Sequence, residues 1–461
     1  MRAVRFSGVL VTVISSAVLI GPGIGSATTG SPAVGAAVAC APGSVLWTSV
    51  RAGLGHAVAA DPSGGMVFAV GSPGLTAYSA GTGAKLWENV GSGRSVAVSR
   101  NGNVVFVVKP VGGIHGADFF TAAFDAATGK RLWARRYNGR ASGDDRPVAL
   151  AVSAGGRAVF VTGTSPGKTS GPDYATVAYA AATGRQLWVS RYNGHSRSSD
   201  IPAAIAVSPG GDAVFVTGTS QGRTSGGDFA TVAYAAATGA PLWAKRYNGP
   251  ANRLDAASSV APSRDGHRVI VAGTSDGRRG SGTDFATIAY KAATGAPLWA
   301  RRYHGPAERN DNAVAVLASP FGGGTVITVG DSAGNGHNDY VSVAYVTATG
   351  LTRWVSRVHR DFQPEFLKAA ALSPDGRSFY LTGYVFPNGG GGEEPSDVLT
   401  VASFASGAQR WAKEIAPTIA NGTDAGLSVA VSPDSSAVYN LVQEFTTRPV
   451  DFRTIAFQAC N

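Results

Sequence analysis

Two histidines and several carboxylates lie where the sequence departs from its own internal repeat. One recurring position is Asn138, Asn193 and Asn248 in three copies, and it becomes His304 and then His359 in the next two. Imidazoles and carboxylates can bind a metal or act as general acids and bases. We predict a ligand-binding site at these two histidines and the nearby acids, with neutral drift in exposed loops as the alternative. The acids are Asp311, Asp361, Glu365, Glu393 and Glu394.

Known reactive motifs are missing from the sequence. The seven histidines show no H-x-x-x-H spacing, and no G-x-S-x-G elbow or phosphate-binding loop occurs. No acid spacing resembles a calcium-binding loop such as D-x-D-x-D-G. The sequence therefore predicts no metal site by motif and names no catalytic residue.

Two further sets of acids recur once per repeat. The first stands eight residues before a recurring serine and comprises Asp145, Asp200, Asp255, Asp311, Glu365 and Asp424. The second begins an aromatic, β-branched run and comprises Asp118, Asp173, Asp228, Asp284, Asp339, Asp397 and Asp451. We interpret them as hydrogen-bond acceptors for loop N–H groups and partners of recurring arginines, with a cation-binding acidic rim as the alternative. The arginines are Arg136, Arg191, Arg246, Arg302 and Arg357.

The spacing of the tryptophans defines the elements that position these residues. All eight fall in one pattern at intervals of 40 to 57 residues, which is typical of propeller blades. They are Trp47, Trp87, Trp133, Trp188, Trp243, Trp299, Trp354 and Trp411. Four strand-like runs separated by Gly-containing turns make up each copy, as in Ile201–Ser208, Ala213–Thr217, Asp228–Ala235 and Leu242–Tyr247. We predict an all-β, eight-bladed propeller over residues 40–461 with four antiparallel strands per blade.

The two ends of the chain complement each other. Asp451–Phe457 matches a third strand with no fourth strand after it, and Trp47 belongs to a fourth strand with no three before it. Cys40 and Cys460 both fall in the turn between the third and fourth strands. We expect a disulfide between them to close the ring; two free thiols are the alternative.

One segment carries a family resemblance. Ala123–Trp133 reads AFDAATGKRLW, which resembles the A-x-D-x-x-T-G-x-x-x-W docking motif of quinoprotein (PQQ-like) propellers. The second-strand runs Val159–Gly163 and Val214–Gly218, with their preceding S-x-x-G turns, resemble the bacterial β-propeller repeat of surface proteins. The resemblance implies that the eight tryptophans lock neighbouring blades together.

The resemblance does not extend to the quinoprotein cofactor site. That family holds pyrroloquinoline quinone and calcium beside an adjacent pair of cysteines, and this chain has only Cys40 and Cys460. It also lacks the long insertions that build such a site. We therefore predict no cofactor, with calcium or pyrroloquinoline quinone as the alternatives.

The first residues resemble an export signal. Arg2 and Arg5 precede an apolar run from about Val9 to Ile20, and small residues follow, which predicts a signal peptide over 1–27 and a disordered spacer over 28–39. Val38-Ala39-Cys40 also resembles a lipoprotein site, but the apolar run ends well before it. The apolar run is too short to span a bilayer comfortably, and no later run is long enough for a transmembrane segment. We expect a secreted bacterial protein, extracellular or associated with the cell wall.

Two classes of function fit this sequence. The first is a binding scaffold that presents its loop face to a protein, glycan or cell-wall polymer, which the regular blades and the absence of a convergent reactive set favour. The net charge of +10 could favour acidic partners, but it is scattered along the repeats, and an ordinary solvated basic surface is the alternative. The second is an enzyme, a lyase or hydrolase rather than a quinone-dependent dehydrogenase, with its site on the irregular face of blades five to seven. A pocket that gathers His304 and His359 would favour the enzyme. We expect a monomer without a nucleic-acid partner.

Overall fold

The computed structural model describes residues 40–460 except 114–115, 142, 196, 278–281, 320–323, 335–336, 361–362, 387–395, 418–421 and 446–449. The predicted signal peptide and spacer lie outside the described residues. So do three predicted site residues, Asp361, Glu393 and Glu394. Within this part of the chain, no helix is long and apolar enough to cross a membrane.

The described residues form eight sheets of four antiparallel strands, which confirms the predicted eight-bladed propeller. The chain begins with β1 (Val45–Ala52). Blade 1 contains β2 (Gly55–Ala60), β3 (Met66–Gly71), β4 (Gly74–Ser79) and β5 (Lys85–Val90). Blade 2 contains β6 (Ser95–Val98), β7 (Val104–Gly113), β8 (Gly116–Asp125) and β9 (Arg131–Tyr137). Blade 3 contains β10 (Arg146–Val152), β11 (Ala158–Pro166), β12 (Pro172–Ala180) and β13 (Gln186–Tyr192).

The next three blades are the most regular. Blade 4 contains β14 (Asp200–Val207), β15 (Ala213–Gln221), β16 (Gly227–Ala235) and β17 (Pro241–Tyr247). Blade 5 contains β18 (Asp255–Pro262), β19 (Arg268–Asp276), β20 (Thr283–Lys291) and β21 (Pro297–Tyr303). Blade 6 contains β22 (Asp311–Ser319), β23 (Thr325–Ala333), β24 (Asn338–Val346) and β25 (Thr352–Val358).

The last two blades complete the ring. Blade 7 contains β26 (Glu365–Leu372), β27 (Ser378–Val385), β28 (Asp397–Phe404) and β29 (Gln409–Ile415). Blade 8 contains β30 (Asp424–Val431), β31 (Ala437–Glu444) and β32 (Asp451–Gln458), and its fourth strand is β1 from the other end of the chain.

The core lies between neighbouring blades. The second and third strands are apolar along nearly their whole length because blades pack on both of their faces. Phe215 and Phe229 of blade 4, for example, pack in one cluster with Val269 and Ile288 of blade 5. Burial of such apolar surface drives the folding of the ring, at about 25 cal/mol per Å².

Each tryptophan lies between two blades. Trp188 of blade 3 donates its indole N–H to the carbonyl oxygen of Ala236 in blade 4, at 2.9 Å. Its ring lies against Gly239, whose φ is +72°, and a Cβ there would come within 2.5 Å of the ring. All eight indoles contact the equivalent positive-φ glycine of the following blade, namely Gly83, Gly129, Gly184, Gly239, Gly295, Gly350, Gly407 and Gly43 in the order of the tryptophans. Glycine is required because the turn needs this φ and the indole occupies the space of a side chain.

Closure of the ring follows the predicted arrangement. The strand β1 pairs antiparallel with β32, with Trp47 opposite Ala456. Cys40 and Cys460 form a disulfide, with their Cα atoms 5.9 Å apart. The prediction of this pairing is confirmed, and the alternative of two free thiols was wrong.

Candidate functional site

The candidate site lies on the face that carries two kinds of connection, which we call the upper face. These are the connections from the fourth strand of one blade to the first strand of the next, and from the second to the third strand within a blade. The two kinds of connection are joined by backbone hydrogen bonds. The N–H of Asp145 donates to the carbonyl of Ala117, and the N–H of Asp424 donates to the carbonyl of Ser396. All the predicted site residues that the structure describes belong to these connections or to the strand ends beside them.

The acids at the heads of the third strands pair with the recurring arginines. The Nη2 atom of Arg246 lies 2.7 Å from Oδ2 of Asp228 and donates to the carbonyl of Ser220 at 2.7 Å. The same ion pair joins Asp118 to Arg136, Asp173 to Arg191, Asp284 to Arg302, and Asp339 to Arg357. Each arginine thus ties three strands of its blade together at the upper face.

The acids at the heads of the first strands are buried and hold the loops before them. The N–H of Gly194 donates to Asp200 at 2.6 Å, and Gly249 donates to Asp255 at 2.6 Å. Burial raises the pKa of both carboxyls, while these hydrogen bonds and the neighbouring Ser220 and Ser275 hydroxyls oppose the shift. These acids therefore organise the connections and are not exposed to a ligand.

The pattern changes between blades 6 and 7. Glu414 stands where the earlier blades have the paired arginine, and Arg360 from the preceding connection forms an ion pair with it. Glu365 is fully buried and accepts the N–H of Tyr340 at 3.2 Å; burial raises its pKa to about 8. Burial and the neighbouring Glu414 raise the pKa of Asp397 to about 6.

Blade 8 also departs from the repeat. Arg453 on its third strand is only 5% exposed and forms ion pairs with the buried carboxylates of Asp424 and Glu444. Here a single buried arginine replaces the half-buried arginine of the fourth strand. Asp424 accepts a hydrogen bond from the Arg453 guanidinium, and the two carboxylates together compensate its buried charge.

The upper ends of the inner strands in blades 6 and 7 carry polar and aromatic groups of their own. Asp331 accepts a hydrogen bond from Asn312 at 3.1 Å. Phe366 stacks on Tyr384 with ring centroids 5.2 Å apart, and the ammonium of Lys368 lies 5.1 Å from the Tyr384 ring. Burial raises the pKa of Asp331 to about 6, although Asn312 and Lys368 favour its charged form.

The buried Asp331 carboxyl predicts a pH dependence of stability. Its folded pKa of about 6 lies above the ordinary value of 3.8, so the folded chain holds this proton more tightly than the unfolded chain. The Asp331 carboxyl therefore adds to the free energy of unfolding below pH 4, and this stabilisation is lost as the pH rises to about 6. Asp331→Asn should remove that loss, because the amide does not titrate. The free energy of unfolding of the variant minus that of wild type should therefore be up to about 3 kcal/mol more positive at pH 8 than at pH 4.

Denaturant unfolding at a series of pH values tests this prediction. Asp331→Thr is a second variant that introduces the residue of blades 3, 4 and 5 at this position, which are Thr164, Thr219 and Thr274. It should flatten the profile in the same range. A wild-type stability that does not fall between pH 4 and pH 6 relative to both variants would contradict the assignment.

The two predicted histidines do not converge on one site. His304 Nδ1 lies 2.9 Å from Asp284 Oδ1, and His359 Nδ1 lies 3.1 Å from Asp339 Oδ1. The two aspartates belong to blades 5 and 6, respectively. Asp311 lies beside His304 and is fully buried, with its Oδ2 accepting the N–H of Gly305 at 2.6 Å. Each histidine is thus held by the third-strand aspartate of its own blade.

Sequence reasoning missed a third histidine. His337 Nε2 lies 3.0 Å from His359 Nδ1 and 3.6 Å from Asp339 Oδ1. A signal was available, because the residue two before the third-strand aspartate is glycine at Gly116, Gly171, Gly226 and Gly282, and becomes histidine only in blade 6 among these copies. The change from asparagine to histidine points to His359 alone and leaves its neighbour His337 unpredicted.

The exposed charges on the upper face of blades 2 to 5 are mainly positive. Among the residues that the structure describes, six exposed cations lie on the connections there: Arg140, Lys168, Arg197, Arg223, Arg253 and Arg309. Within the described residues of the same connections, the exposed acids are Asp144 and Glu308. A polar depression of about 420 Å³ adjoins Arg223 and is lined by His195, Thr224, Ser225, Asp228 and Arg246.

Comparison with known proteins identifies the class. The sequence matches the family described as outer membrane protein assembly factor BamB over residues 33–279 and 173–441. The propeller and its docking tryptophans agree with that match, and the chain belongs to this family of PQQ-like β-propeller repeat proteins. The search of curated proteins found no match.

Solved structures show the same fold at low sequence identity. BamB from Moraxella catarrhalis is similar with a TM-score of 0.51 and 14% identity, covering 89% of this chain and 98% of its own. The dihydro-heme d1 dehydrogenase NirN, in complex with DHE, has a TM-score of 0.52 and 14% identity, covering 79% and 67%. Kuenenia stuttgartiensis hydrazine synthase has a TM-score of 0.47 and 13% identity, covering 87% and 97%. The likenesses to BamB and NirN concern the fold.

Proposed function

We propose that this chain is a secreted or cell-surface binding protein whose upper face takes an anionic cell-wall polymer. The observation that carries the proposal is the row of exposed cations on the connections of blades 2 to 5. Successive connections between blades each contribute one exposed arginine, namely Arg140, Arg197, Arg253 and Arg309. A polymer with repeated anionic groups can contact several of them at once, and such multivalent contacts add to affinity.

The burial of the acids explains why this face is positive. Asp173, Asp228 and Asp284 are each at most 6% exposed and are paired with arginines. Asp200 and Asp255 are buried beneath the loops. The acids that recur in each blade therefore contribute little negative charge to the surface. The exposed arginines of the connections and Lys168 determine the electrostatic potential that a partner meets.

Among the described residues, the opposite face of blades 2 to 5 is also mainly positive. Its turns carry exposed cations such as Lys130, Arg157 and Arg185, but they also carry exposed acids, as at Asp212 and Asp265. The upper face differs in presenting one exposed arginine on each successive connection between blades, namely Arg140, Arg197, Arg253 and Arg309. An equal loss of positive charge on the opposite face thus provides a control for the upper face.

The alternative function is an enzyme with its site on blades five to seven. It needs a pocket that gathers His304 and His359. The two imidazoles instead contact separate aspartates, Asp284 and Asp339, in separate blades. That separation favours the binding function over a reactive set built from both histidines.

Binding to purified wall teichoic acid tests the proposal. The triple variant Arg197→Gln, Arg223→Gln, Arg253→Gln should weaken binding by about 10- to 150-fold, because each exposed charge is expected to contribute about 0.5–1 kcal/mol. Affinity should fall with added salt because the charges are solvent-exposed. Titration calorimetry or biolayer interferometry gives the dissociation constants.

A matched variant on the opposite face provides the control. Lys130→Gln, Arg157→Gln, Arg185→Gln removes the same charge and should leave binding within about threefold of wild type, since these side chains lie away from the proposed surface. Dextran, a neutral polymer, should not bind. Equal losses in the two triple variants, or binding to dextran as tight as to teichoic acid, would overturn the proposal.

A further inference from the structure

Three metal-binding groups converge on the upper face of blade 6. The atoms are Nε2 of His337, Nδ1 of His359 and Oδ1 of Asp339. The nitrogens lie 3.0 Å apart, and the oxygen lies 3.1 Å from His359 and 3.6 Å from His337. His337 precedes the third strand and His359 follows the fourth, so the antiparallel pairing of β24 and β25 brings them together.

These separations suit a single transition-metal ion. Zinc binds His nitrogen and Asp oxygen at about 2.0–2.2 Å, which places ligand atoms about 3.3–3.6 Å apart in a tetrahedron and about 2.8–3.1 Å apart in an octahedron. The three observed distances fall in or close to these ranges. Two imidazoles and one carboxylate are also ligands that divalent zinc, cobalt and nickel accept.

The carboxylate is held in position from behind. Oδ2 of Asp339 accepts a hydrogen bond from Nε of Arg357 at 2.9 Å and forms an ion pair with its Nη2 at 2.8 Å. Arg357 is fixed in turn by the hydroxyl of Tyr303 at 2.8 Å and by Ser332. Hydrogen bonds of this kind orient the ligands of metal sites, and here they direct Oδ1 toward the two imidazoles.

The site is partly open to solvent. The side chains of Asp339 and His337 are 5% and 11% exposed, whereas that of His359 is 50% exposed. The aspartate is therefore anchored in the blade, and the exposed side of His359 gives an ion a route of entry. Three protein ligands leave the remaining coordination positions for water or for a donor atom of a bound partner.

The repeat shows that two substitutions create this arrangement together. Blade 5 has the histidine–aspartate pair of His304 and Asp284, but Gly282 stands at the position of His337. Blade 4 has neither histidine, since Asn248 and Gly226 occupy the two positions. The aspartate that pairs with arginine thus has no imidazole beside it in blade 4, one in blade 5 and two in blade 6.

We infer that His337, Asp339 and His359 form a binding site for one divalent transition-metal ion, with Zn²⁺ the best match. The bound ion joins the connection before β24 to the connection after β25 on the upper face. This inference rests on the geometry of blade 6 and does not depend on the proposed polymer binding by blades 2 to 5.

Titration calorimetry of the full chain with ZnCl₂ tests the site, using protein purified without a histidine tag and treated with a chelator. Wild type should bind one Zn²⁺ tightly, and the melting temperature should rise with Zn²⁺ because the ion binds the folded state. His337→Gly and His359→Asn should each weaken binding at least tenfold. Both replacements introduce residues that other blades of this chain already contain at these positions, so the variants should fold.

His304→Asn is the matched control, because it removes an aspartate-paired histidine from a site with one imidazole. Its zinc affinity should equal that of wild type. Co²⁺ gives a second readout, since visible absorption of the bound ion reports nitrogen and oxygen ligation and should disappear in both blade 6 variants. Unchanged zinc affinity in His337→Gly or His359→Asn, or no saturable binding by wild type, would overturn the inference and leave a His–His–Asp hydrogen-bond network.

Discussion

The double variant Cys40→Ser, Cys460→Ser should unfold with a free energy about 4–5 kcal/mol lower than that of wild type. The disulfide joins residues 420 positions apart. A cross-link that closes so long a loop removes much conformational freedom from the unfolded chain, and its stabilising effect lies at the top of the range measured for disulfides. Guanidinium unfolding followed by tryptophan fluorescence measures the change as a shift of the midpoint.

Reduction provides an independent control for the disulfide. Wild type treated with a thiol reductant should unfold at the midpoint of the double variant, and the reductant should not affect the variant. The variant should still form the propeller, because β1 retains its hydrogen-bonded pairing with β32 and Trp47 remains packed between blades 8 and 1. A midpoint equal to that of oxidised wild type would show that strand pairing alone closes the ring.

Trp188→Ala should lower the free energy of unfolding by about 3–5 kcal/mol. The indole is 7% exposed, contacts Gly239 of the next blade and donates to the carbonyl of Ala236. Truncation removes the buried ring, leaves a cavity between two blades and frees the carbonyl of its partner. Urea or guanidinium unfolding measures the loss.

The ring and the hydrogen bond can be separated by phenylalanine substitutions. Trp188→Phe keeps much of the apolar contact but loses the bond to Ala236. Trp411 is a useful comparison because, within the described residues, its buried Nε1 has no hydrogen-bond partner. Trp411→Phe should therefore cost about 1 kcal/mol less than Trp188→Phe. Equal costs would indicate that the indole hydrogen bond adds little to docking.

The architecture could be predicted because one local pattern is repeated. Four apolar runs with Gly-containing turns specify a blade wherever they occur. Each strand predicted for blade 4 begins within two residues of the first residue of the observed strand. The strand β15 continues to Gln221, beyond the predicted Thr217, because the pairing with β16 extends into the upper connection. The incomplete blades at the two ends similarly predicted the pairing of Cys40 with Cys460.

The arrangement of the polar residues could be predicted only in part. One arginine and one aspartate per blade suggested ion pairs, and the geometry of a regular repeat makes every such pair alike. Glu414 breaks this rule, and its partner Arg360 comes from the connection between blades 6 and 7. Residue spacings alone do not predict a pair in which the arginine comes from a connection between blades and not from the recurring arginine position.

The sequence by itself therefore determined the number of blades, the contacts of the tryptophans and the closure of the ring, because these depend on interactions that recur with the repeat. Only the tertiary structure decided which loop side chains meet. His304 and His359 occupy equivalent positions 55 residues apart and face different aspartates, whereas His337 and His359, 22 residues apart, lie within 3.0 Å of each other. The reason is that antiparallel pairing brings the start of one strand beside the end of the next, whatever the length of chain between them.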